Sequence, residues 1–256
     1  MSELEKILDE HKKQKKVLRI GTGEFADSMA LESISNVSEI LINFWEEKDP
    51  LAVLELKTKV AISENYFSKF KPDPRIIFAW SVNTEKIIKE EEKGTAPLEK
   101  RLESAKKAIN FGFTVAFHFD PIIFYEDAEK EYPKVLEKIL NTIPPEKIAW
   151  ISLGTLRYPK ELKIIAEKRF PKTKIYSQEF IEGLDDKKRY FIDLRKKLYI
   201  SFKKVINEVK DLVTFYFCME GERIWEEILE KNVTSSFEVK LLLDKVALKL
   251  CYGKNN

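Results

Sequence analysis

Polar and charged side chains follow five short apolar runs in this sequence, each at the point where the run stops. The carboxyl ends of parallel strands meet at one edge of a sheet, where ligands bind, so these groups are candidates for one shared pocket. Five such groups in chain order predict a pocket rim of mixed charge. The groups are Gly21-Thr22-Gly23-Glu24, Lys57-Thr58-Lys59, Ser81-Val82-Asn83, His118-Phe119-Asp120-Pro121 and Gly154-Thr155-Leu156-Arg157.

The residue types in these groups leave several kinds of chemistry open. A lysine inside such a pocket binds a carboxylate or a phosphate, whereas a strand-end lysine is more often solvated. His118 and Asp120 lie two positions apart on one strand, so they point to the same face, although a core histidine is an equally favoured interpretation. Arg157 either clamps an anion or is an ordinary surface arginine. The first group lacks the third glycine of a dinucleotide-binding loop, which favours a simple tight turn.

The composition excludes several classes of function. The 256 residues carry 45 basic and 43 acidic side chains, so the net charge of +2 provides no global field for nucleic acid, and any DNA contact must use a local patch. Cys218 and Cys251 are the only cysteines, which excludes a disulfide framework and predicts a cytoplasmic protein. With two histidines and two cysteines, no metal site is predicted. No apolar run reaches the roughly 20 residues of a membrane-spanning helix. The high lysine and glutamate content fits either a thermophile or an AT-rich genome.

Apolar runs of strand length alternate with segments of helical period along the chain, which predicts a parallel α/β protein. We predict a partial, open TIM-type barrel of about six parallel strands with helices outside it and a helical C-terminal extension. A single domain is expected, with the barrel core in residues 1–180 and the mainly helical extension in residues 181–256. Strands are predicted at 17–23, 51–59, 75–83, 114–121, 147–154 and 212–219, with a weaker one at 174–178. Helices are predicted at 3–16, 35–46, 97–111, 128–142, 159–169, 186–210, 222–230 and 237–250.

Several segments, taken together and in order, resemble the spore photoproduct lyase family of radical S-adenosylmethionine enzymes. Each segment alone is moderately specific, but the ordered set covers nearly the whole chain from residue 17 onward. The segments are RIGTGEFADSMAL (19–31), LELKTK (54–59), FAWSVNT (78–84), EEEKGTAPLEKRLESA (90–105), GFTVAFHFDPII (112–123), WISLGTLRY (150–158) and FCMEGERIW (217–225).

This resemblance implies a partial barrel that holds S-adenosylmethionine and a [4Fe–4S] cluster. Reductive cleavage of the cofactor would give a 5′-deoxyadenosyl radical that abstracts hydrogen from a thymine photodimer in DNA. The residues implied around S-adenosylmethionine are Gly21, Thr22, Gly23, Glu24, Lys59, Ser81 and Asn83, with Lys59 near the methionine carboxylate. The candidate substrate or DNA contacts are His118, Asp120, Arg157, Arg189, Tyr190 and Arg195, the last three lying where the family has basic and aromatic residues near its DNA-binding surface.

Two departures from the family pattern affect what this sequence is expected to do. The family holds its cluster with C-x-x-x-C-x-x-C, located before the segment that Met1 begins, and Cys218 and Cys251 cannot replace three thiolates on one loop. The sequence is therefore expected to be N-terminally short, to lack cluster ligands and to generate no radical as written. The family's hydrogen-donating cysteine falls near Glu24, so even a longer chain is expected to act on a substrate other than the spore photodimer.

Two other functions stay open at this point. One is a non-catalytic protein that binds S-adenosylmethionine or nucleic acid with the same fold. The other is a cluster-independent enzyme that uses His118, Asp120 and Arg157 on a phosphorylated substrate. An open sheet edge is also expected where a first strand would pair, which predicts a homo-oligomer.

Overall fold

Six of the predicted strands pair side by side in one parallel sheet. A computed structural model describes residues 2–24, 26–183 and 185–253. The strands are β1 (Leu18–Thr22), β2 (Ala52–Thr58), β3 (Ile76–Ser81), β4 (Thr114–Ile122), β5 (Ile148–Thr155), β6 (Arg157–Pro159), β7 (Ile181–Glu182), β8 (Lys187–Arg189) and β9 (Thr214–Phe217). The parallel sheet has the order β1-β2-β3-β4-β5-β9, which follows the chain and forms a half-barrel. The predicted α/β partial barrel is confirmed.

Helices surround this sheet and form most of the C-terminal part. None of them, within the described ranges, is long and apolar enough to cross a membrane. The helices are α1 (Ser2–Lys13), α2 (Glu32–Ser35), α3 (Val37–Lys48), α4 (Glu64–Phe67), α5 (Glu85–Glu91), α6 (Leu98–Asn110), α7 (Ala128–Thr142), α8 (Lys160–Arg169), α9 (Ile192–Val209), α10 (Glu222–Leu229) and α11 (Ser236–Tyr252).

The two faces of the sheet are built from alternate residues of each strand. On the outer face, residues such as Leu54, Phe78 and Phe117 pack in the main core beneath the surrounding helices. On the inner face, Val53 and Ile77 near the strand beginnings pack in a second cluster that includes Leu243 and Ala247 of α11. Because α11 covers the first halves of the strands, the inner face stays open only at the carboxyl ends.

A small antiparallel sheet, which the sequence reading missed, interrupts this pattern after β5. β6 pairs with β8, and β8 pairs with β7. The predicted helix at 186–210 was therefore too long, since residues 187–189 form β8 and the helix begins at Ile192. The weak strand predicted at 174–178 is wrong. Glu91 accepts hydrogen bonds from the Thr173 hydroxyl at 2.7 Å and from the backbone N–H of Lys174 at 2.8 Å, which holds this segment in a turn.

The backbone just before β4 passes close to Pro72 at Gly112. Its backbone φ is +82°, and an added Cβ would lie 2.5 Å from the Cβ of Pro72. Gly94 has a similar φ of +75°, but an added Cβ would meet nothing within 4 Å. We expect Gly94→Ala to lower the free energy of unfolding by about 1 kcal/mol, the cost of a left-handed alanine, and Gly112→Ala to cost at least ~1 kcal/mol more because Pro72 must also move. Chemical denaturation of both variants measures the difference, and equal losses would contradict this close approach.

Candidate functional site

The carboxyl ends of five strands surround a cleft of about 510 Å³, here called the polar cleft. It is lined by five of the residues predicted to contact S-adenosylmethionine, substrate or DNA: Gly23, Glu24, Lys59, Ser81 and Asp120. The remaining lining residues are Ala26, Asp27, Lys57, Thr58, Tyr216 and Cys218. The sequence did not predict that residues of and after β9 line this cleft, because Tyr216 and Cys218 lie in an apolar run with no distinctive motif.

A buried ion pair lies beneath the polar cleft on the inner face. Glu55 Oε1 accepts hydrogen bonds from His118 Nε2 at 2.7 Å and from Trp150 Nε1 at 2.9 Å. Burial opposes charge on both groups, but the Glu55 carboxylate raises the pKa of His118 to about 9, and the His118 charge holds the pKa of Glu55 below its usual value. Both groups are therefore charged at neutral pH. The sequence reading did not single out Glu55, which lies in mid-strand.

Asp120 joins this ion pair to the floor of the polar cleft. Its Oδ2 accepts a short hydrogen bond from the Ser152 hydroxyl and lies 3.6 Å from His118 Nδ1. His118 Nδ1 and Asp120 Oδ1 have no hydrogen-bond partner among the described residues. Gly154 makes room for this carboxylate, since an added Cβ would lie 2.1 Å from Asp120 Oδ1. The structure thus brings His118 and Asp120 together on one face, as their spacing predicted.

The loop after β1 is fastened to the end of β2. Gly23 has φ +82°, and an added Cβ would lie 2.6 Å from the carbonyl oxygen of Lys57, so a side chain is excluded there. Asp27 accepts hydrogen bonds from the Thr58 hydroxyl and from the backbone N–H of Lys59, both at 2.7 Å. Lys57 Nζ lies 3.3 Å from Glu24 Oε2 across the cleft mouth. These contacts fix the direction in which the two lysine backbones leave the strand.

Gly21 and Thr22 lie deeper than the sequence reading expected. An added Cβ on Gly21 would be 3.7 Å from Glu55 Oε2, so this glycine adjoins the buried carboxylate. The Thr22 hydroxyl is hydrogen-bonded to Ser28 Oγ at 2.7 Å and supports the loop. Neither residue lines the polar cleft.

Lys59 lies at the boundary between the polar cleft and a second, larger cleft. This second cleft has a volume of about 830 Å³ and is here called the apolar cleft. Lys59 Nζ pairs with Glu92 Oε1 at 3.0 Å, and the other oxygen of Glu92 accepts a hydrogen bond from Arg101 Nη2 at 2.6 Å. Asn83 lines the apolar cleft, whereas Ser81 lines the polar cleft. The sequence predicted one pocket that contains both residues, but the structure has two clefts, which meet at Lys59.

The candidate DNA contacts are placed differently from the expectation. Arg157 and Arg189 share the carboxylate of Asp185 on the small antiparallel sheet, outside the polar cleft. Tyr190 is fully buried, and its hydroxyl accepts a hydrogen bond from the backbone N–H of Phe124 at 3.1 Å. Arg195 is also buried.

Arg195 is occupied by partners inside the protein. Its guanidinium pairs with Glu220 and donates to the carbonyl oxygen of Tyr190 at 3.1 Å. Tyr190 and Arg195 are therefore buried in this fold, and a contact between them and DNA stays a prediction. A basic, aromatic segment turns inward here because Glu220 supplies the compensating charge.

The residues present do not fit an iron–sulfur cluster. In the described part of the chain, no group of three or more histidine, cysteine, aspartate or glutamate side chains is arranged to hold a metal ion. Cys218 lies at the polar cleft, and Cys251 lies on α11. A [4Fe–4S] cluster needs more thiolates than these two cysteines provide.

The sheet and its helices define a half-barrel α/β protein with a polar cleft at the carboxyl ends of its strands. Residues 2–217 match the family model for spore photoproduct lyase, so the chain belongs to the spore photoproduct lyase family. It is 28% identical over 195 residues to spore photoproduct lyase of Bacillus subtilis (strain 168), which covers 73% of this chain and 54% of the relative. The chain thus spans about half the length of that curated relative.

Solved structures share the fold. A cysteine-to-alanine mutant of spore photoproduct lyase matches with a TM-score of 0.73 and 20% identity, covering 85% of this chain and 65% of that one. A double mutant of spore photoproduct lyase with bound AdoMet and dinucleoside spore photoproduct matches with a TM-score of 0.71 and 20% identity, over the same shares of the two chains. This chain therefore has the same fold as these two spore photoproduct lyase structures.

The raised pKa of His118 predicts a loss of stability on the alkaline side. His118 titrates near pH 9 in the folded protein against 6.5 for the free side chain, so its contribution is complete below pH 6.5 and disappears as the pH rises through 9. We expect the free energy of unfolding to fall by more than about 1 kcal/mol between pH 6.5 and pH 9.5. In His118→Gln, which keeps a hydrogen-bond donor but cannot titrate, this fall is expected to vanish. An identical pH profile in both proteins would contradict the charged pair.

Proposed function

We propose that this chain binds S-adenosylmethionine at the carboxyl edge of its half-barrel and acts as the cofactor- and substrate-binding part of a radical enzyme for DNA photoproducts or a related substrate. The observation that carries the proposal is the position of Lys59, whose ammonium lies where the polar and apolar clefts meet. Membership of the spore photoproduct lyase family supports it, as does the relative whose structure contains AdoMet.

The polar cleft has groups of both signs for a zwitterionic ligand. The Lys59 ammonium is suited to the methionine carboxylate, and the carboxylates of Glu24 and Asp120 are suited to the amino and sulfonium charges. The Ser81 hydroxyl and the Asn83 amide line the two sides of the Lys59 position and provide neutral hydrogen-bonding groups. To supply a carbon radical for hydrogen abstraction, S-adenosylmethionine would need a reduced cluster, which these residues by themselves do not hold.

The charged side chains of the inner face adjoin the proposed S-adenosylmethionine site. His118 of the buried pair lies with its Nδ1 3.6 Å from Asp120 Oδ2, so a positive charge adjoins the floor of the cleft. The Asp120 carboxylate on that floor attracts the cationic end of the ligand and orients its carboxylate towards Lys59. For a nucleic-acid partner, Arg157 and Arg189 on the small sheet stay the proposed contacts; they share the single carboxylate of Asp185, which leaves one positive charge uncompensated.

A second candidate function is binding of S-adenosylmethionine or nucleic acid without catalysis. Its basis is that the two thiols of these 256 residues cannot by themselves hold the cluster. Both candidates share the S-adenosylmethionine site and differ in radical chemistry. The open side of β1, an edge strand of the parallel sheet, stays a proposed contact between copies of the chain.

Replacement of Lys59 tests the cofactor site. Lys59→Ala removes the ammonium but leaves Glu92 paired with Arg101, so the fold is expected to survive. We expect the affinity for S-adenosylmethionine, measured by isothermal titration calorimetry, to fall about tenfold, equivalent to ~1.4 kcal/mol. The matched control is Lys100→Ala, a lysine on α6 that pairs with Glu103 at the surface and is expected to change nothing. Unchanged binding in Lys59→Ala would overturn the assignment.

Cluster reconstitution tests the prediction that the two cysteines cannot hold a cluster. Anaerobic incubation with iron and sulfide is expected to leave these 256 residues without the brown colour of a [4Fe–4S] protein. The double variant Cys218→Ser/Cys251→Ser is expected to behave in the same way. A stable cluster in the unmodified chain but not in the double variant would contradict the prediction that Cys218 and Cys251 cannot hold one.

A further inference from the structure

The apolar cleft differs in chemical character from the polar cleft. It lies between α5, the segment that follows β4, and α8 with the turn after it. Its inner wall includes the buried side chains of Ile87, Ile123 and Tyr176. Its outer wall includes Leu162 and Phe170, which are 42% and 57% exposed. A concave apolar surface of this size gains stability when a ligand removes it from water.

Basic side chains without carboxylate partners lie around the cleft. Lys93, Arg169 and Lys172 line it, and none of the three has an ion-pair partner within residues 2–24, 26–183 and 185–253. Lys57 and Lys59 at the polar cleft, by contrast, are paired with Glu24 and Glu92. Uncompensated cations beside apolar surface attract an anion more strongly than cations already in salt bridges.

The acidic residues of the cleft do not cancel these charges. Glu92 is engaged by both Lys59 and Arg101. The two oxygens of Glu91 accept hydrogen bonds from the turn after α8. Glu90 and Glu91 keep their negative charge, since the donors to Glu91 are neutral, so the three unpaired cations outnumber these two carboxylates by one.

We propose that the apolar cleft binds an amphipathic anion, a phosphate or similar group joined to an apolar body. The body occupies the cleft between Ile87, Ile123 and Leu162, and the anion lies against Arg169 and Lys172. S-adenosylmethionine has the opposite character, since its reactive end is cationic. The proposal therefore describes a different ligand from the one assigned to the polar cleft, and it stands whether or not that assignment holds.

Two fluorescent probes with the same ring system test the charge requirement. Anilinonaphthalene sulfonate carries an anion, and N-phenylnaphthylamine is its neutral counterpart. We expect the sulfonate to bind at one site per chain and about five-fold more tightly than the neutral probe. Equal affinities would overturn the requirement for an anion.

Variants on α8 and in the turn after it test where the sulfonate probe binds. Arg169→Gln/Lys172→Gln is expected to weaken sulfonate binding about five-fold and to leave the neutral probe unaffected. Lys168→Gln/Lys174→Gln, with two exposed lysines of the same segment that do not line the cleft, is the matched control and is expected to change neither. Equal losses in both double variants would mean that binding reflects only general surface charge, against the proposal.

The apolar wall has its own matched pair. Leu162→Asp is expected to weaken both probes, whereas Ile164→Asp, on the same helix but 73% exposed and outside the cleft, is expected to weaken neither. No side chain of α8 is buried, so both variants are expected to fold. If both changes have the same effect, the probe does not lie in the cleft.

Competition then identifies the source of the anion. Displacement of the bound sulfonate by thymidine monophosphate supports a planar base as the apolar body, and displacement by octyl phosphate supports an aliphatic chain. Displacement by neither phosphate overturns the proposal. Stoichiometric displacement by S-adenosylmethionine also overturns it, because the cleft would then be part of the cofactor site.

Discussion

The buried carboxylate of Glu55 is the constraint on which the inner face of the half-barrel depends. An ionised carboxylate taken out of water needs a compensating charge and hydrogen-bond donors, which His118 and Trp150 supply from β4 and β5. The contact crosses β3 at Ala79, a small residue, and Gly21 of β1 leaves space on the other side. One side chain thus ties together strands that come from distant parts of the sequence.

This ion pair divides the inner face into two layers of different character. Towards the strand beginnings, the small and apolar residues pack against α11 and exclude water. Towards the strand ends, the polar cleft begins with Lys57, whose pKa is raised, despite its burial, by the charges of Glu55, Glu24 and Asp120. Because α11 packs against the strand beginnings, the cleft on this face lies at the carboxyl edge, where the polar groups are.

The alternation of apolar runs and helical segments was enough to predict the six parallel strands, and the strand-end rule correctly placed Glu24, Lys59, Ser81 and Asp120 in one cleft. The charged centre beneath that cleft could not be predicted, since the partners of a mid-strand glutamate depend on sheet register. The short strands β6, β7 and β8 escaped detection because their pairing is non-local and their residues are largely charged. The burial of Arg195 could not be predicted for a related reason: its partner Glu220 is remote in sequence.

The contacts of Glu92 explain how Lys59 can serve a ligand without destabilising the fold. A buried carboxylate that loses its only cation is left with an uncompensated charge, which costs several kcal/mol. Glu92 has two cations, and burial would raise its pKa were it not for Lys59 and Arg101, which together hold the pKa below its usual value. Arg101 is fixed independently, because it also donates to the carbonyl oxygens of Ser81 and Ala96 at 2.7 and 2.8 Å. In the proposed role, Lys59 therefore leaves Glu92 to bind a ligand anion, while Arg101 keeps the Glu92 carboxylate paired. Because Glu92 keeps this second partner, the salt bridge of Lys59 does not prevent the lysine from binding a ligand.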